Sequence, residues 1–530
     1  RVDVAVSGNI SIFNGGYINT STFSSGDAGS VRVSAGSLNI DGQGAGAGIG
    51  SDPFGASGNT GNAGSIDVAV LGHFHMLRGG YIDASTFSAG DAGSVKVRAG
   101  SLSIDGQGLG AGITSGAYNG STGRTGNVEV LATGNMVILD GGYIDSSTTS
   151  SSDAGAVKVF AHHLTIDGHG YKTGISSDAA FGSTGKAGSV DVQATGGIAI
   201  LGGGRIDTST HSSGQAGSVK VSTAGLSVDG QGFTLSGTGV FSNAEALSAG
   251  QTGSVLVSAS DRITLANGGG LSVQNFATVA NPGALIPTTL AVSAPTILLK
   301  DAEITAASTG NVAASQVQVD FSQRLALDNS GITTSANQGN GGSIDITGGQ
   351  GTILLDNAQI STSVKGVAGN GGDIHVQAHT LIMNTGFIQA NTAARNAAGG
   401  HVQIDVQALV PSGDTLFIGG QTPYIFQPGV FSFNVIQAAA PTGVSGVIQI
   451  STPLLDISGA LTGFNVQLLD SGGLGHHPCR ITGGSSLVQT GRGGFAPSAR
   501  DLLGPAPLFA ETPLADRMLP PSPGDPRLAS

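Results

Sequence analysis

Short runs of aliphatic residues at alternate positions recur along the chain, as in Val31-Arg32-Val33, Ile66-Asp67-Val68, Val95-Lys96-Val97 and Val128-Glu129-Val130. A period of two predicts strands with one buried face. With Val95 as the register position, the equivalents are Val2, Val31, Ile66, Val128, Val157, Val190, Val219, Val255, Leu290, Val317, Ile344, Ile374 and Val402, giving 14 units spaced 27 to 36 residues. Two positions later every unit again has Val or Ile, and two positions earlier 11 of the 13 units after the first have Gly. Two further strands follow in most units, as in Leu38-Asn39-Ile40 before the turn DGQG and then Gly48-Ile49-Gly50-Ser51. Three short strands per coil, about 30 residues per coil and no helical period predict an all-β fold, a single-stranded parallel β-helix or solenoid. Sandwiches and propellers need hairpins, and none is legible.

The polar slot between the two aliphatic positions reads Asp3, Arg32, Asp67, Lys96, Glu129, Lys158, Asp191, Lys220, alternating in sign over eight units. Equivalent residues on neighbouring coils of a parallel solenoid lie about 4.8 Å apart. At that distance opposite charges attract by roughly 0.2 to 1 kcal/mol and like charges repel. The alternation therefore predicts in-register stacking. A second series, four residues before the register position, runs Asp27, Asn62, Asp91, Arg124, Asp153, Lys186 in the opposite phase. The true repeat is thus a pair of coils, about 62 residues, as STFSSGDAGS at 21–30 and STFSAGDAGS at 85–94 indicate.

This regularity divides the chain. Residues 1–260 carry the two-coil repeat and 261–410 less regular coils, with 271–289, including Asn281-Pro282-Gly283, expected to leave the coil. Residues 411–494 read as irregular terminal coils whose strands, such as Val447-Ile448-Gln449-Ile450, have no clear register. The Pro-rich tail 495–530 is expected to be disordered.

Composition narrows the function classes. Of 530 residues 90 are Gly and only 10% are charged, with 39% hydrophobic and a mean hydropathy of +0.17. Enough apolar surface exists to offset the ordering entropy, so the chain folds. A net charge of −13 argues against nucleic acid or an anionic membrane as partner. No run of 18 apolar residues predicts a membrane span. The chain opens inside a strand pattern without an initiator Met or signal peptide, which reads as a fragment, and its single Cys479 allows no intrachain disulfide.

Candidate chemistry is sparse. Asp41, Asp105, Asp167 and Asp229 stand in DGQG or DGHG-type turns, and Asp83, Asp145 and Asp207 recur in the third strand after Asn19. Each series returns every second coil, about 9.6 Å apart, too far to share a calcium ion with ligands at about 2.3 to 2.6 Å. Asp before Gly reads as a turn in which the carboxylate accepts backbone N–H groups. His73 and His75 alternate with Phe74 and Met76 and read as surface rungs, as do His162 and His163. His476-His477-Pro478-Cys479 lacks a second ligand cluster. No catalytic, cofactor-binding or metal residue is nominated, and no cofactor is expected.

The units GNAGSIDVAV, GGYIDASTFSAGDAGSVKV and SLSIDGQG resemble the repeats of filamentous haemagglutinin-type exoproteins, the passengers of bacterial two-partner secretion. The segment from Val444 to Pro453 and the run from Gly483 to Gly494, with Cys479 upstream, resemble the C-terminal region of that family. The resemblance implies a right-handed β-helix, export through an outer-membrane partner transporter, an extracellular or cell-surface location, and adhesion to host or environmental glycans or proteins. It also implies an amino-terminal secretion domain with an NPNG-type motif, which does not occur here; Asn281-Pro282-Gly283 is in the wrong place. Two alternatives remain at this stage: a β-helix polysaccharide-degrading enzyme, and the stalk of a contact-dependent toxin.

Overall fold

The structure, a computed structural model, describes residues 1–53, 60–118, 121–233, 237–413, 415–430 and 432–452. The expectations for Cys479 and its neighbouring histidines, for the run 483–494 and for the Pro-rich tail fall outside the described residues.

Each alternating run becomes one coil of a parallel β-solenoid. In one coil Val31–Asp41 supplies the first two strands, with the pairing register shifting between Ala35 and Leu38, and Ala47–Gly50 forms the third. Ile66–Leu77 and Gly80–Asp83 repeat this in the next coil. Val31 pairs with Val2 on one side and Ile66 on the other, and the same rung continues through Val95, Val128, Val157, Val190 and Val219. It then runs through Val255, Leu290, Val317, Ile344, Ile374 and Val402. Every one of these pairings is parallel, so the stacking is in register as the charge alternation requires. Among the described residues the only helical turn is the 3-10 segment Pro282–Ala284.

The inward residues explain why the coil closes. Val31, Val33, Leu38, Ile40 and Ile49 are each at most 1% exposed, and the same five positions are filled in coil after coil. Burial of one such aliphatic side chain is worth about 1.5 to 3 kcal/mol. The third strand offers one inward position that is aliphatic in every one of these coils, occupied by Ile49, Ile82, Ile113, Ile144, Ile175 and Ile206, while the buried position two residues earlier holds only Ala or smaller in several of them, as at Ala47, Gly80 and Ala111.

The glycine before each first strand is a packing requirement. A Cβ on Gly126 would lie 1.9 Å from the carbonyl oxygen of Gly93, and one on Gly155 the same distance from that of Gly126. The carbonyls of this spine also accept hydrogen bonds from buried hydroxyls, as Gly126 does from Ser146 at 2.7 Å and Gly155 from Ser177 at 2.6 Å. The two units that lack the glycine have Thr288 and Ser315 there, whose hydroxyls lie 3.0 Å apart and share Thr252 as a neighbour at 2.6 and 3.1 Å.

Three expectations need correction. The excursion does not begin at 271: Gly269–Ser272 is an ordinary third strand with Leu271 fully buried, and Asn275 still bridges to the neighbouring coils. The coil pattern therefore holds well into the segment expected to leave it. The strand at 448–451 is not out of register, because Ile448–Ser451 pairs with Val402–Asp405. Between them the chain detours, with Asn434–Gln437 on the third strand of the preceding coil and Leu416–Ile418 paired to it in turn. Finally, the Asp27 series is a set of backbone clamps more than an ion ladder. Asp27 Oδ1 accepts from the Asn62 backbone N–H at 2.9 Å, Asn62 Oδ1 from that of Asp91 at 2.8 Å, and Asp91 Oδ1 from that of Arg124 at 2.8 Å.

Candidate functional site

The charge ladder lies on the outward side of the first strands. Asp3, Arg32, Asp67, Lys96, Glu129, Lys158, Asp191 and Lys220 are Cα partners in that order, and the row ends where Lys220 meets Leu256. Two of these neighbours close direct ion pairs, Arg32 with Asp67 at 3.4 Å and Lys96 with Glu129 at 2.8 Å. Asp67 also takes Arg98, two positions along the adjacent strand, at 2.7 Å. These side chains are substantially exposed, Lys96 and Glu129 by 41% and 51%, so their role is to align coils rather than to build a reactive centre.

The turn aspartates are likewise structural. Asp41, Asp105, Asp167 and Asp229 each accept the backbone N–H of the residue two positions on, at 3.2, 3.1, 3.2 and 2.9 Å. Those residues, Gln43, Gln107, His169 and Gln231, all have φ between +43° and +51°. The carboxylate thereby supports a left-handed conformation that L-residues ordinarily avoid. His73 and His75 are exposed beside the fully buried Phe74 and Met76, as the alternation predicts.

The third strand carries what the sequence reading missed. Its outward position reads Tyr17, Gly48, Tyr81, Gly112, Tyr143, Gly174, Arg205 in successive coils. Two of the tyrosine rings lie over a glycine of the preceding coil: a Cβ on Gly48 would meet the Tyr81 ring at 2.6 Å, and one on Gly112 the Tyr143 ring at 2.3 Å. Beside this row sit the third-strand acids. The expected spacing of two coils holds for Asp83, Asp145 and Asp207, but Asp52 and Asp178 enter from the intervening coils, two residues beyond the strand position.

The carboxylates of Asp52, Asp145, Asp178 and Asp207 are buried and that of Asp83 is half-buried, and they are close enough to influence one another. Burial, reinforced by the charge of Asp83, pushes the Asp52 carboxyl up to about 9. Asp83 is raised mainly by burial. Asp178 is raised well above the usual carboxylate range by burial and by Asp207, against the opposing pull of Lys172 at 3.7 Å. Asp145 is held by Tyr118 Oη at 2.6 Å and Ser176 Oγ at 2.7 Å, and Asp207 by the Ser209 backbone N–H at 2.9 Å and Arg205 at 3.4 Å. The signal for Asp52 and Asp178 was the Ser-Asp pair at 51–52 and 177–178, but nothing in the period marks those positions as buried.

After Arg205 the Tyr–Gly alternation stops. The outward positions become Gly239, Gly270, Glu303, Gly331 and Gln359. Gly239 is buried against the next coil, its Cβ position 1.8 Å from Gly270 O, but Gly270 has no ring over it and, with Gly268 and Gly269, forms the floor of a cleft of about 760 Å³. Its sides carry Phe241, Gln274, Phe276 and Glu303, and the detour after residue 411 contributes Phe426 and Pro428. The detour is fastened by the Gly429 N–H donating to Asn357 Oδ1 at 2.8 Å, and Phe426 packs edge-on against the buried Phe387 at 5.1 Å. Arg205 lies 5.4 Å above the Phe241 ring and also borders a smaller cavity of about 270 Å³ containing Tyr143, Lys172 and Asp178. Among the described residues no group of three or more His, Cys, Asp or Glu side chains could hold a metal ion, and no helix is long and apolar enough to cross a membrane.

Fold and site define a parallel β-solenoid with a mixed aromatic and polar cleft on its third face. Compared with known proteins, the chain matches no family model, no curated protein and no solved structure.

Proposed function

We propose that the chain is a structural and adhesive part of a secreted or surface-displayed exoprotein of a Gram-negative-type bacterium, exported by an outer-membrane partner transporter. The observation that supports this most is the unbroken coil-on-coil register from Val2 to Ile448. Each coil leans only on its neighbours, so the chain can be threaded unfolded through a narrow pore and wind up one coil at a time. The outward row of the second strand carries a short polar side chain in every other coil, Asn39, Ser103, Thr165 and Ser227, a repeated surface suited to many weak contacts acting together. The test is adhesion of beads coated with the purified chain to glycan-bearing and protein-bearing surfaces. Saturable attachment removed by soluble chain is expected; attachment no greater than to a coated blank would overturn the reading. Export is tested separately, by expressing the chain behind the family's secretion domain with and without the partner transporter.

A second reading, a β-helix polysaccharide-degrading enzyme, draws on Asp145, Asp178 and Asp207 lying on adjacent coils. It is the weaker one, because these carboxylates are each at most 9% exposed and the first and last already accept several hydrogen bonds. A general acid or base needs to reach the reacting oxygen directly or through one water. Release of reducing ends or unsaturated uronides above background would reverse the ranking.

A further inference from the structure

We propose that the cleft floored by Gly268, Gly269 and Gly270 binds an extended, uncharged polysaccharide. This deepens the adhesive reading by naming a ligand class and the place that holds it.

The argument begins with what the repeat does elsewhere. From Tyr17 to Gly174 the third face is a closed surface, each glycine of the row, Gly48, Gly112 and Gly174, being buried under a neighbouring ring or backbone. If the cleft were a by-product of poor packing, its interior rungs would loosen too. They do not: Val240, Leu271 and Ile304 directly beneath it are fully buried. Only the outward residue has changed, from tyrosine to glycine. At Gly270 the Glu303 carbonyl oxygen, at 3.2 Å, is the one atom within 4 Å of an added Cβ, whereas Gly48 and Gly112 meet a tyrosine at 2.2 to 2.6 Å, so Gly270 has a tight edge but no ring above it.

The cleft is elongated along the stack. From Arg205 to Gln359 the outward position advances five coils, roughly 24 Å at the strand spacing. That suits a linear chain of several sugar rings better than a compact cofactor. Its volume falls within the range of small-molecule sites.

The lining selects the chemistry. Phe241, Phe276 and Phe426 supply flat apolar faces against which the C–H face of a pyranose ring can lie. Asn243, Gln274 and Gln359 supply planar amides that both donate and accept, matching hydroxyl groups. Asp207, Glu245, Asp301 and Glu303 outnumber the single cation Arg205, which disfavours a uronate or sulfated polymer. An acidic lining would also draw a polycationic peptide, which is why an oligolysine is one arm of the test.

The experiment uses the full 530-residue chain and calorimetric titration with cellohexaose, xylohexaose and mannohexaose. Oligogalacturonate and an oligolysine peptide serve as the charged comparisons. At least one neutral hexasaccharide is expected to bind. Gly270→Tyr, which restores the upstream pattern and fills the floor, should weaken it by about tenfold or more, and Phe241→Ala by about tenfold, the scale of one lost aromatic contact. Circular dichroism and melting checks fold, and Tyr81→Ala, outside the cleft, should leave binding unchanged. The proposal is overturned if none of the neutral sugars binds, if binding survives both cleft variants in folded protein, or if only the uronate or the lysine peptide binds. If coated beads still adhere while the neutral sugars fail, the adhesive reading stands and the cleft assignment alone is lost.

Discussion

Single residues decide whether a coil can stack on the one before it. Gly126 has no room for a methyl group, its Cβ position being 1.9 Å from Gly93 O and 2.2 Å from Ser115 Oγ. Gly126→Ala should destabilise by about 1 to 3 kcal/mol, the ordinary cost of overpacking, or more if the corner cannot shift. Gly8→Ala is the control, with nothing within 4 Å of its Cβ position, and should melt with the parent. The buried acids make a pH prediction. Asp52 is raised from 3.8 to about 9 and Asp178 is raised too, so the folded state holds protons that the unfolded state releases. Their contribution is complete below about pH 4 and is lost as pH rises toward 9. Melting temperature should therefore fall between pH 5 and 9, and Asp52→Asn with Asp178→Asn should flatten that slope and raise stability at pH 8. An unchanged slope in the double variant would place the acids elsewhere. The inward aliphatic positions could be read from the sequence because period two states them directly. Asp52 and Asp178 could not, because their burial follows from the corner after the third strand.

At the scale of the strand, the polar slot of one coil is chosen for the slot beside it. Lys96→Glu puts three acids, Asp67, Glu129 and the new one, on consecutive rungs. Exposed pairs are individually weak, so the expected loss is about 1 to 2 kcal/mol at low ionic strength, shrinking as salt rises. Thermal melts at low and high salt read this out, and a salt-independent effect would mean that the row is decorative. The alternation was legible because the first strand is long and its frame constant. The Tyr–Gly row was not, because the third strand has only one constant inward residue, the isoleucine, and its alternate copies, GAGIG and GGYID, look unlike each other. Their shared register emerges only once Ile49 and Ile82 are stacked.

For the whole molecule, stability is a sum over neighbouring coils, and the interesting places are where the sum is interrupted. Among the described residues the chain leaves the coil around Pro282–Ala284 and between Pro411 and Asn434, and resumes register each time. The second return was hidden from sequence reading by the 46-residue gap between Val402 and Ile448. The detour that caused the gap also supplies Phe426 and Pro428 to the cleft, so the same irregularity that obscured the pattern builds the site. The central claim is that one register runs through both regular and irregular coils. Its most direct test is a disulfide across the first detour. Leu256 and Ala291 are outward-facing Cα partners on adjacent coils, a spacing compatible with a disulfide. In a Cys479→Ser background, Leu256→Cys with Ala291→Cys should cross-link under mild oxidation and raise the melting temperature, whereas Leu256→Cys with Ser293→Cys, offset by two residues, should cross-link poorly. Efficient closure of the offset pair and failure of the aligned one would contradict the register, and with it the placement of the cleft.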